Sequence, residues 1–269
     1  MSGERLRVTI LGCGSSPGVP RIGNDWGACD PNEPKNRRLR SSVMFERISG
    51  QGVTRVIVDT GPDFREQMLR AEVGVAHAVI YTHPHADHIH GIDELRQFVI
   101  NGKHRVPIYA DAATLDRLKQ AFGYCFETPT GSAYPPIVRE NLVTPGKAFT
   151  VDGPGGPMEI LPYAQVHGDI ISIGYRVGDV AYSSDINALP DETVPLIEGV
   201  GMFIVDALRY TPHPSHFSVD EAIAAARRIG ARQTILTHMH IDLDYATLKG
   251  RLPADVEPAY DGLYVERTI

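Results

Sequence analysis

The sequence has few cysteines, and their placement excludes a cross-linked fold or a zinc finger. Cys13, Cys29 and Cys125 are odd in number and widely spaced. A disulfide framework needs pairs of cysteines, and a structural zinc site of the finger type needs two closely spaced pairs of ligands. We therefore expect free thiols in a reducing compartment such as the cytoplasm.

The sequence also lacks a long apolar run and a low-complexity tract. No apolar stretch approaches the roughly 20 residues of a transmembrane helix, and the first apolar segment is too short for a signal peptide. Apolar residues make up 42% and charged residues 22% of the 269 positions, as in ordinary globular proteins. We expect a single domain over residues 1–269, without a membrane partner.

An excess of basic charge is absent as well. The chain has 26 Lys and Arg against 33 Asp and Glu, a net charge of -7. Nonspecific binding of a polyanion depends on basic side chains that neutralise phosphates, so nucleic acid is not favoured as a partner. The long loop 19–41 carries a basic cluster that could contact substrate, although a solvated charged loop is the simpler interpretation. The cluster comprises Lys35, Arg37, Arg38 and Arg40.

A glycine-rich turn follows the first predicted strand, residues 6–11. Its pattern Gly12-x-Gly14-x-x-x-Gly18 has the wrong spacing for a dinucleotide-binding turn, and the prolines within it exclude the helix that such a turn needs. A dinucleotide-binding fold is therefore excluded.

A dense group of histidines is the most informative feature that the sequence does contain. Residues 82–88, Thr-His-Pro-His-Ala-Asp-His, follow directly on the apolar run 78–81. Imidazole and carboxylate together suit Zn²⁺, Mn²⁺ or Fe²⁺. The segment predicts a metal site at the end of a buried strand; a solvated histidine-rich loop is the alternative.

The remaining pattern predicts a mixed α/β chain. Helices are predicted from Pro62 for about ten residues, over 91–99, after Asp111, and over 219–229 with Ser218 and Glu221 as a capping box. Residues 123–140 are predicted to form a loop. The predicted β segments are 42–48, 54–58, 77–81, 106–110, 141–151, 158–163, 169–177, 180–183, 202–205 and 233–237.

Several predicted strands stop at an aspartate or a histidine. The residues at these ends are Asp59, the loop 83–88, His167, Asp185, Asp206 and His238. Layered sheets collect such residues along one edge. In this order, together with the neighbours Thr60-Gly61, Gly91, Ser184 and Leu236-Thr237, they resemble the motifs of the metallo-β-lactamase superfamily. The resemblance spans nearly the whole chain and implies an α/β fold, a four-layer αββα sandwich.

The resemblance also implies a centre with two divalent metal ions, zinc or manganese. It places His83, His85 and His167 on one ion, Asp87, His88 and His238 on the other, and Asp185 between them. Two such ions can activate water and stabilise the entering and leaving oxygens of a displacement. Asp59 would orient a ligand imidazole. Asp206 has no role in this scheme and is expected to be structural.

The segment 212–219 resembles the phosphodiesterase branch of the superfamily. That branch includes tRNA 3'-processing endonucleases and the cyclic phosphoribosyl phosphodiesterases of the phosphonate pathway, and the resemblance is greater to the second group because no long basic arm interrupts the chain. The first loop has only Cys29 where that group often has a cysteine cluster for a structural zinc ion. His216 is the candidate general acid and phosphate contact, with His213 as the alternative.

We therefore expect a dinuclear phosphodiesterase that acts on a small phosphorylated metabolite or nucleotide. Asp87 and His216 are the candidate catalytic residues, and Ser184, His213, His216 and His240 the candidate substrate contacts. His90 could support a ligand, whereas His77 and His104 are expected to be surface or core residues. A homodimer is the expected assembly. An RNA-processing endonuclease, a thioester or lactam hydrolase and an inactive nucleotide-binding protein remain open as alternatives.

Overall fold

Two seven-stranded β-sheets form the centre of the computed structural model, which describes residues 3–269. The first sheet has the order β14-β1-β2-β3-β4-β5-β6. Strands β3 to β6 are parallel to one another, whereas β14, β1, β2 and β3 pair antiparallel. The strands are β1 (Arg5–Gly12), β2 (Ser42–Ser49), β3 (Gly52–Val58), β4 (Ala78–Ile80), β5 (Val106–Ala110), β6 (Val138–Leu142) and β14 (Tyr264–Thr268).

The second sheet repeats this mixed arrangement with the order β13-β12-β11-β10-β9-β8-β7. Strands β10 to β13 are parallel, and β7, β8, β9 and β10 pair antiparallel. Each sheet thus has a parallel half whose carboxyl ends can collect functional residues at one edge. The strands are β7 (Phe149–Val151), β8 (Met158–His167), β9 (Ile170–Val177), β10 (Val180–Ser183), β11 (Met202–Asp206), β12 (Gln233–Thr237) and β13 (Val256–Pro258).

Helices cover the outer faces of both sheets, which confirms the αββα sandwich. One apolar cluster joins the inner faces of the two sheets and extends to α6, and a second packs α1, α3 and α4 on the first sheet. No helix within residues 3–269 has both the length and the apolar character to cross a membrane. The helices are α1 (Phe64–Arg70), α2 (Ala86–Ile89), α3 (Leu95–Gly102), α4 (Ala112–Phe122), α5 (Val194–Ile197), α6 (Val219–Arg228) and α7 (Tyr245–Lys249).

Two predicted helix starts are confirmed by their capping contacts. Asp111 accepts a hydrogen bond from the Thr114 amide at 3.0 Å, and the reciprocal Ser218–Glu221 capping box opens α6. Such caps satisfy amides that the first turn leaves without partners. Helix α1 is shorter than predicted and has no side-chain cap. The carboxylate of Asp63 at its start instead accepts hydrogen bonds from the amide and the guanidinium of Arg40, both at 2.8 Å.

Several predicted boundaries were wrong, and the histidine-rich segment differs most. A four-residue helix, α2, lies within the ligand loop, and the helix predicted over 91–99 is a 3₁₀ turn, Ile92–Glu94, followed by α3. The predicted strand 141–151 is two strands, β6 and β7, separated by a loop, while β8 continues to His167. Strand β6 also begins inside the predicted loop 123–140. Pairing with neighbouring strands decides where these strands begin and end, and the local sequence pattern does not reveal that pairing.

One member of the basic cluster in loop 19–41 is not solvated, because Arg38 is only 1% exposed, whereas Arg37 is exposed. Its guanidinium donates to the carbonyls of His240 at 3.1 Å and Leu243 at 2.6 Å. A buried guanidinium requires such acceptors, since an unpaired buried charge is costly. Arg38 thereby attaches the loop to the segment that follows β12, beside a small apolar cluster formed by Val19, Cys29 and Ile241.

Asp261 joins three separate segments at the edge of the first sheet. Its Oδ1 accepts from the Cys13 amide at 3.1 Å, and its Oδ2 accepts from the Leu39 amide at 2.8 Å. Burial raises the pKa of Asp261 to about 6, although these hydrogen bonds and Arg70 act in the opposite direction. The carboxylate therefore holds the glycine-rich turn and the end of loop 19–41 against the loop that precedes β14.

We predict that Asp261→Ala lowers the free energy of unfolding by about 2–4 kcal/mol, because two buried amides lose their acceptor. Urea denaturation of the metal-loaded protein measures this loss. Asp255→Ala is the matched control, since Asp255 forms an ion pair with Arg227 at the exposed surface, and it should change stability little. Equal effects of the two variants would contradict the structural role of Asp261.

The same carboxyl should contribute a pH dependence of stability. Its pKa is about 6 in the folded protein against an ordinary value of 3.8, so the folded state binds the proton more tightly. The contribution is fully present below about pH 4 and is lost as the pH rises through 6. The stability difference between the native protein and Asp261→Ala should therefore increase from pH 7 to pH 5, and a constant difference would refute this.

Candidate metal centre

The candidate site lies where the parallel strands of both sheets end. Asp59 directly follows β3, and His238 directly follows β12. Asp185 lies just after the end of β10. All three have left-handed backbones, with φ of 65°, 54° and 57°, a conformation that is uncommon outside glycine. The backbone thus turns sharply after each of the three strands, and the three polar side chains lie at a shared edge. Such strained backbone is often associated with functional sites.

Two glycines allow the histidine-rich loop to approach this edge. A Cβ on Gly61 would lie 2.2 Å from the Asp87 carbonyl oxygen, and one on Gly91 would lie 2.3 Å from the Gly61 carbonyl oxygen. The backbone of Thr60 fixes the approach, because its amide donates to His88 at 2.8 Å and its carbonyl accepts from Gly91 at 2.7 Å. A larger residue at either glycine would displace the loop.

The structure brings His83, His85 and His167 together on one side of Asp185. Ligand atoms of these four residues all lie within 4.8 Å of one another. The Nε2 atoms of His83 and His167 are each 3.7 Å from Asp185 Oδ2, and His167 Nε2 is 3.3 Å from His85 Nδ1. Strand β8 delivers His167 to this edge because it runs in the same direction as β10.

Asp87, His88 and His238 form a second group on the other side of Asp185. Their ligand atoms and those of Asp185 also lie within 4.8 Å of one another. The Nε2 atoms of His88 and His238 are 3.2 and 3.3 Å from Asp185 Oδ1, and Asp87 Oδ2 is 3.3 Å from His88 Nε2. Each oxygen of Asp185 therefore faces a different group of imidazoles.

Asp59 and Thr82 fix the orientation of two of these imidazoles. The Nδ1–H of His88 donates to Asp59 Oδ2 at 2.7 Å. Thr82 donates to Asp59 through its amide and its hydroxyl, both at 2.8 Å, and its hydroxyl is 2.9 Å from His83 Nδ1. On the other sheet, His167 Nδ1 donates to the Ser215 carbonyl at 2.7 Å. With Nδ1 engaged, Nε2 of each ring is directed to the centre.

The donor set fits divalent metal ions. His83, His88 and His238 are almost fully buried, and their Nε2 atoms have no hydrogen-bond partner among the described residues. Buried polar atoms normally have partners. Imidazole nitrogens and carboxylate oxygens are ligands of Zn²⁺, Mn²⁺ and Fe²⁺, so cations account for the orphaned atoms.

Electrostatics favours cations at the same place. Burial lowers the pKa of His83 well below its ordinary value, and the neighbouring His88 adds to this effect, so the imidazole is neutral as a ligand must be. Burial opposes the charge of Asp185, yet the surrounding histidines hold its pKa well below the usual range. Burial also opposes the charge of Asp87, but His88 holds the pKa of its carboxyl well below the usual range. Against the opposing effect of burial, Asp185 and the other nearby carboxylates raise the pKa of His88 well above its ordinary value and that of His238 to about 9. The site therefore favours positive charge beside its ionised carboxylates.

Asp206 belongs to the site, contrary to the structural role predicted for it. It is fully buried, and its Oδ2 accepts from His216 Nδ1 at 2.6 Å and from the Ile186 amide at 3.1 Å. Its Oδ1 is 3.6 Å from Nδ1 of His238. Asp206 therefore orients His216 and lies against a candidate metal ligand. Its place at the carboxyl end of β11, between β10 and β12, was the sequence signal for this role.

His216 lies beside both imidazole groups and is 9% exposed. Its ring centroid is 4.7 Å from that of His167 and 4.8 Å from that of His238. His213 lies farther out, with its ring 5.2 Å from His216 and its Nδ1 within 3.3 Å of the Ser215 amide. Asp206 thus supports His216 directly, whereas the hydrogen-bond partners of His213 among the described residues are the amide and hydroxyl of Ser215.

The other candidate substrate contacts differ in their access. Ser184 is fully buried, and its hydroxyl donates to Asp185 Oδ1 at 2.8 Å. This position suits orientation of Asp185 and is poor for contacting a substrate. His240 is partly exposed and pairs through Nδ1 with Asp242 at 2.8 Å.

Three histidines lie apart from the metal groups. His90 is exposed and contacts the ring of Phe122, with 5.6 Å between centroids. His77 Nδ1 accepts from the Arg55 amide at 2.9 Å. His104 Nδ1 donates to the Gly102 carbonyl at 2.8 Å. The groups of metal-ligand type found within residues 3–269 contain none of the three.

Comparison with known proteins agrees with this geometry. A model of the beta-lactamase superfamily domain matches residues 54–239. The octanoyltransferase of Porphyromonas gingivalis is 30% identical over 263 residues, which are 96% of this chain and 51% of that protein. The chain thus spans about half the length of this curated relative.

Solved structures are similar over nearly the whole chain. A crystal structure of a new diphosphatase from the PhnP family is 37% identical, with a TM-score of 0.87 over 98% of this chain and 97% of that one. The metallo-beta-lactamase fold protein YhfI from Bacillus subtilis is 22% identical, with a TM-score of 0.71 over 98% of this chain and all of the other; at that identity it shows the fold alone. The chain therefore belongs to the beta-lactamase superfamily, and it is similar over nearly its whole length to a diphosphatase of the PhnP family.

Proposed function

We propose that this protein is a dinuclear phosphodiesterase that hydrolyses a small phosphorylated compound. The observation that carries the proposal is the position of Asp185, whose two carboxylate oxygens face two separate groups of donors. A carboxylate can bridge two cations, since it offers two oxygens, whereas an imidazole ligand offers one nitrogen. The diphosphatase of the PhnP family, similar over its full length, supports phosphate chemistry.

The ligand assignment follows from the two groups. His83, His85 and His167 would hold one ion, Asp87, His88 and His238 the other, and Asp185 both. Bound divalent ions would supply Lewis-acid stabilisation of the charge that develops on the phosphate oxygens. Asp59 and Thr82 keep the imidazoles of the histidine-rich loop aligned before a substrate arrives, which avoids reorganisation during the reaction.

His216 is the proposed proton donor to the departing oxygen. The 2.6 Å contact of its Nδ1 with Asp206 fixes the orientation of the ring and leaves Nε2 available to a substrate. In a thioester or lactam hydrolase, the pair of His216 and Asp206 would have no evident role in the reaction. The net charge of -7 disfavours a processing endonuclease, which must hold a large polyanion. Cytoplasmic location and a homodimer remain predictions.

The substrate class can be tested with a panel of esters after reconstitution with zinc or manganese. We expect turnover of bis(p-nitrophenyl) phosphate and of 5-phosphoribosyl 1,2-cyclic phosphate, with no cleavage of precursor tRNA at 0.15 M salt. Nitrocefin and a thioester should be at least about 100-fold poorer substrates, because they make no use of His216. Preferred cleavage of tRNA, nitrocefin or the thioester would refute the proposal.

We predict that Asp185→Asn lowers the bound metal from two ions per chain to one or fewer. The amide keeps the volume but carries no charge to hold two cations. Elemental analysis of the purified variant measures the occupancy. Asp242→Asn is the control, since Asp242 pairs with His240 at the surface and lies outside the two groups. Full occupancy in Asp185→Asn would exclude the bridging role.

We predict that His216→Ala lowers kcat on bis(p-nitrophenyl) phosphate about 100- to 10,000-fold with metal content unchanged, as expected for loss of a general acid. His213→Ala, with its ring next to His216, should lower kcat less than about threefold. Asp206→Asn should have an intermediate effect on kcat, because the ring of His216 loses the carboxylate that orients it. A larger effect of His213→Ala would transfer the role to His213.

A further inference from the structure

Strand β9 carries none of the candidate metal ligands, yet it contacts two of the segments that do. Its pairing with β10 ends at Tyr175, which lies opposite Tyr182, and residues 170–174 pair with β8 alone. Residues 172–175 are buried although β10 no longer covers this edge of the strand. Buried polar groups need partners, so this stretch of β9 must find them in another part of the chain.

Ser172 holds the backbone of Asp185. Its hydroxyl donates to the Asp185 carbonyl at 2.8 Å and accepts from Gln165 Nε2 at 3.0 Å. Gln165, opposite Ser172 on β8, also donates to the Ser184 carbonyl at 2.6 Å. The pair thus fixes both carbonyls that flank the left-handed residue Asp185, whose φ is 54°. This turn directs the Asp185 carboxylate to the two ligand groups.

The next residues of β9 hold the segment that enters the histidine-rich loop. The Ile173 amide donates to the Thr82 carbonyl at 2.8 Å, and the Tyr175 hydroxyl donates to the Tyr81 carbonyl at 2.6 Å. Tyr81 and Thr82 follow β4 of the first sheet and directly precede His83. One short stretch of the second sheet therefore fixes two ligand-bearing segments relative to each other, one from each sheet.

Stability alone does not explain the pair on β8 and β9. Gln165 and Ser172 are fully buried, and Gln165 Oε1 has no hydrogen-bond partner among the described residues. A buried polar atom without a partner costs free energy, and apolar side chains at both positions would avoid that cost. Polar side chains behind a metal site, in contrast, keep its ligands in place. The pair is therefore better explained by the position that it gives to Asp185.

We propose that Ser172 and Tyr175 are positioning residues of the dinuclear centre. They hold Asp185 and the histidine-rich loop at the separation at which one carboxylate serves both ligand groups. The inference rests on the proposed function, since it states how the same centre is kept competent for two ions. A single ligand group can hold one ion without this separation, so loss of either hydroxyl should weaken binding of the second ion and spare the first.

The test measures binding of Mn²⁺ to the apo-protein by calorimetric titration in Ser172→Ala and Tyr175→Phe. The second ion should bind about 10- to 100-fold more weakly in each variant, whereas the first ion should bind as it does to the native protein. Thr54→Val is the matched control. The Thr54 hydroxyl is also buried and donates to a backbone carbonyl, that of Gly156 at 2.8 Å, but it touches no ligand segment.

Electron paramagnetic resonance of the Mn²⁺-loaded protein separates positioning from a loss of stability. The native protein should give the broad spectrum of a spin-coupled pair of ions. Ser172→Ala and Tyr175→Phe, at the same amount of Mn²⁺, should give more of the six-line spectrum of isolated ions. Thr54→Val should lose stability in urea to a similar degree and keep the coupled spectrum. Loss of the coupled spectrum in Thr54→Val as well would overturn the inference.

The outcomes also separate the inference from the proposed function. Native affinity for both ions in Ser172→Ala and Tyr175→Phe would overturn the inference and leave the dinuclear centre intact. A native protein that binds only one ion would refute the dinuclear centre and the inference with it. Weaker binding of the second ion in both variants of a protein that hydrolyses no phosphodiester would support the inference and refute the proposed reaction.

Discussion

The buried carboxylate of Asp185 is the constraint on which the rest of the site depends. It is only 2% exposed and lies within 3.7 Å of four imidazoles. A buried negative charge is tolerated only when positive charge and hydrogen bonds surround it. The sandwich supplies this environment from both sheets. The histidine-rich loop follows β4 in the first sheet, and in the second sheet His167 ends β8 and His238 follows β12. A metal centre is thus also a link between the two sheets.

Two further aspartates support the site from outside the two ligand groups. Asp59 accepts hydrogen bonds from Thr82 and His88 beside the first sheet. Asp206 accepts a hydrogen bond from His216 beside the second sheet. Each lies at the carboxyl end of a parallel strand and is fully buried. The supporting carboxylates make the imidazoles keep one orientation, which is what a preorganised hydrolytic centre needs. Both sheets therefore supply candidate metal ligands in similar ways, and the second sheet also carries His216, the proposed proton donor.

The candidate ligand carboxylates of the centre all face imidazoles, and the loops around them come from separate segments of the chain. Substrate choice can therefore be decided by loops that vary independently of the metal ligands, as is common for enzymes on a shared scaffold.

The sequence by itself determined the family, the sandwich and the seven candidate ligands, because short motifs at strand ends keep ligand types in a fixed order along the chain. It also determined the starts of α4 and α6, since capping depends on residues within one turn. It did not assign Asp206, because the partner of that carboxylate is ten residues away and approaches only through the loop that follows β11. It placed Arg38 in a solvated cluster, although the acceptors that bury this side chain lie more than 200 positions away. Those long-range contacts were decided by the tertiary structure alone, since burial and pairing arise only when distant segments pack together.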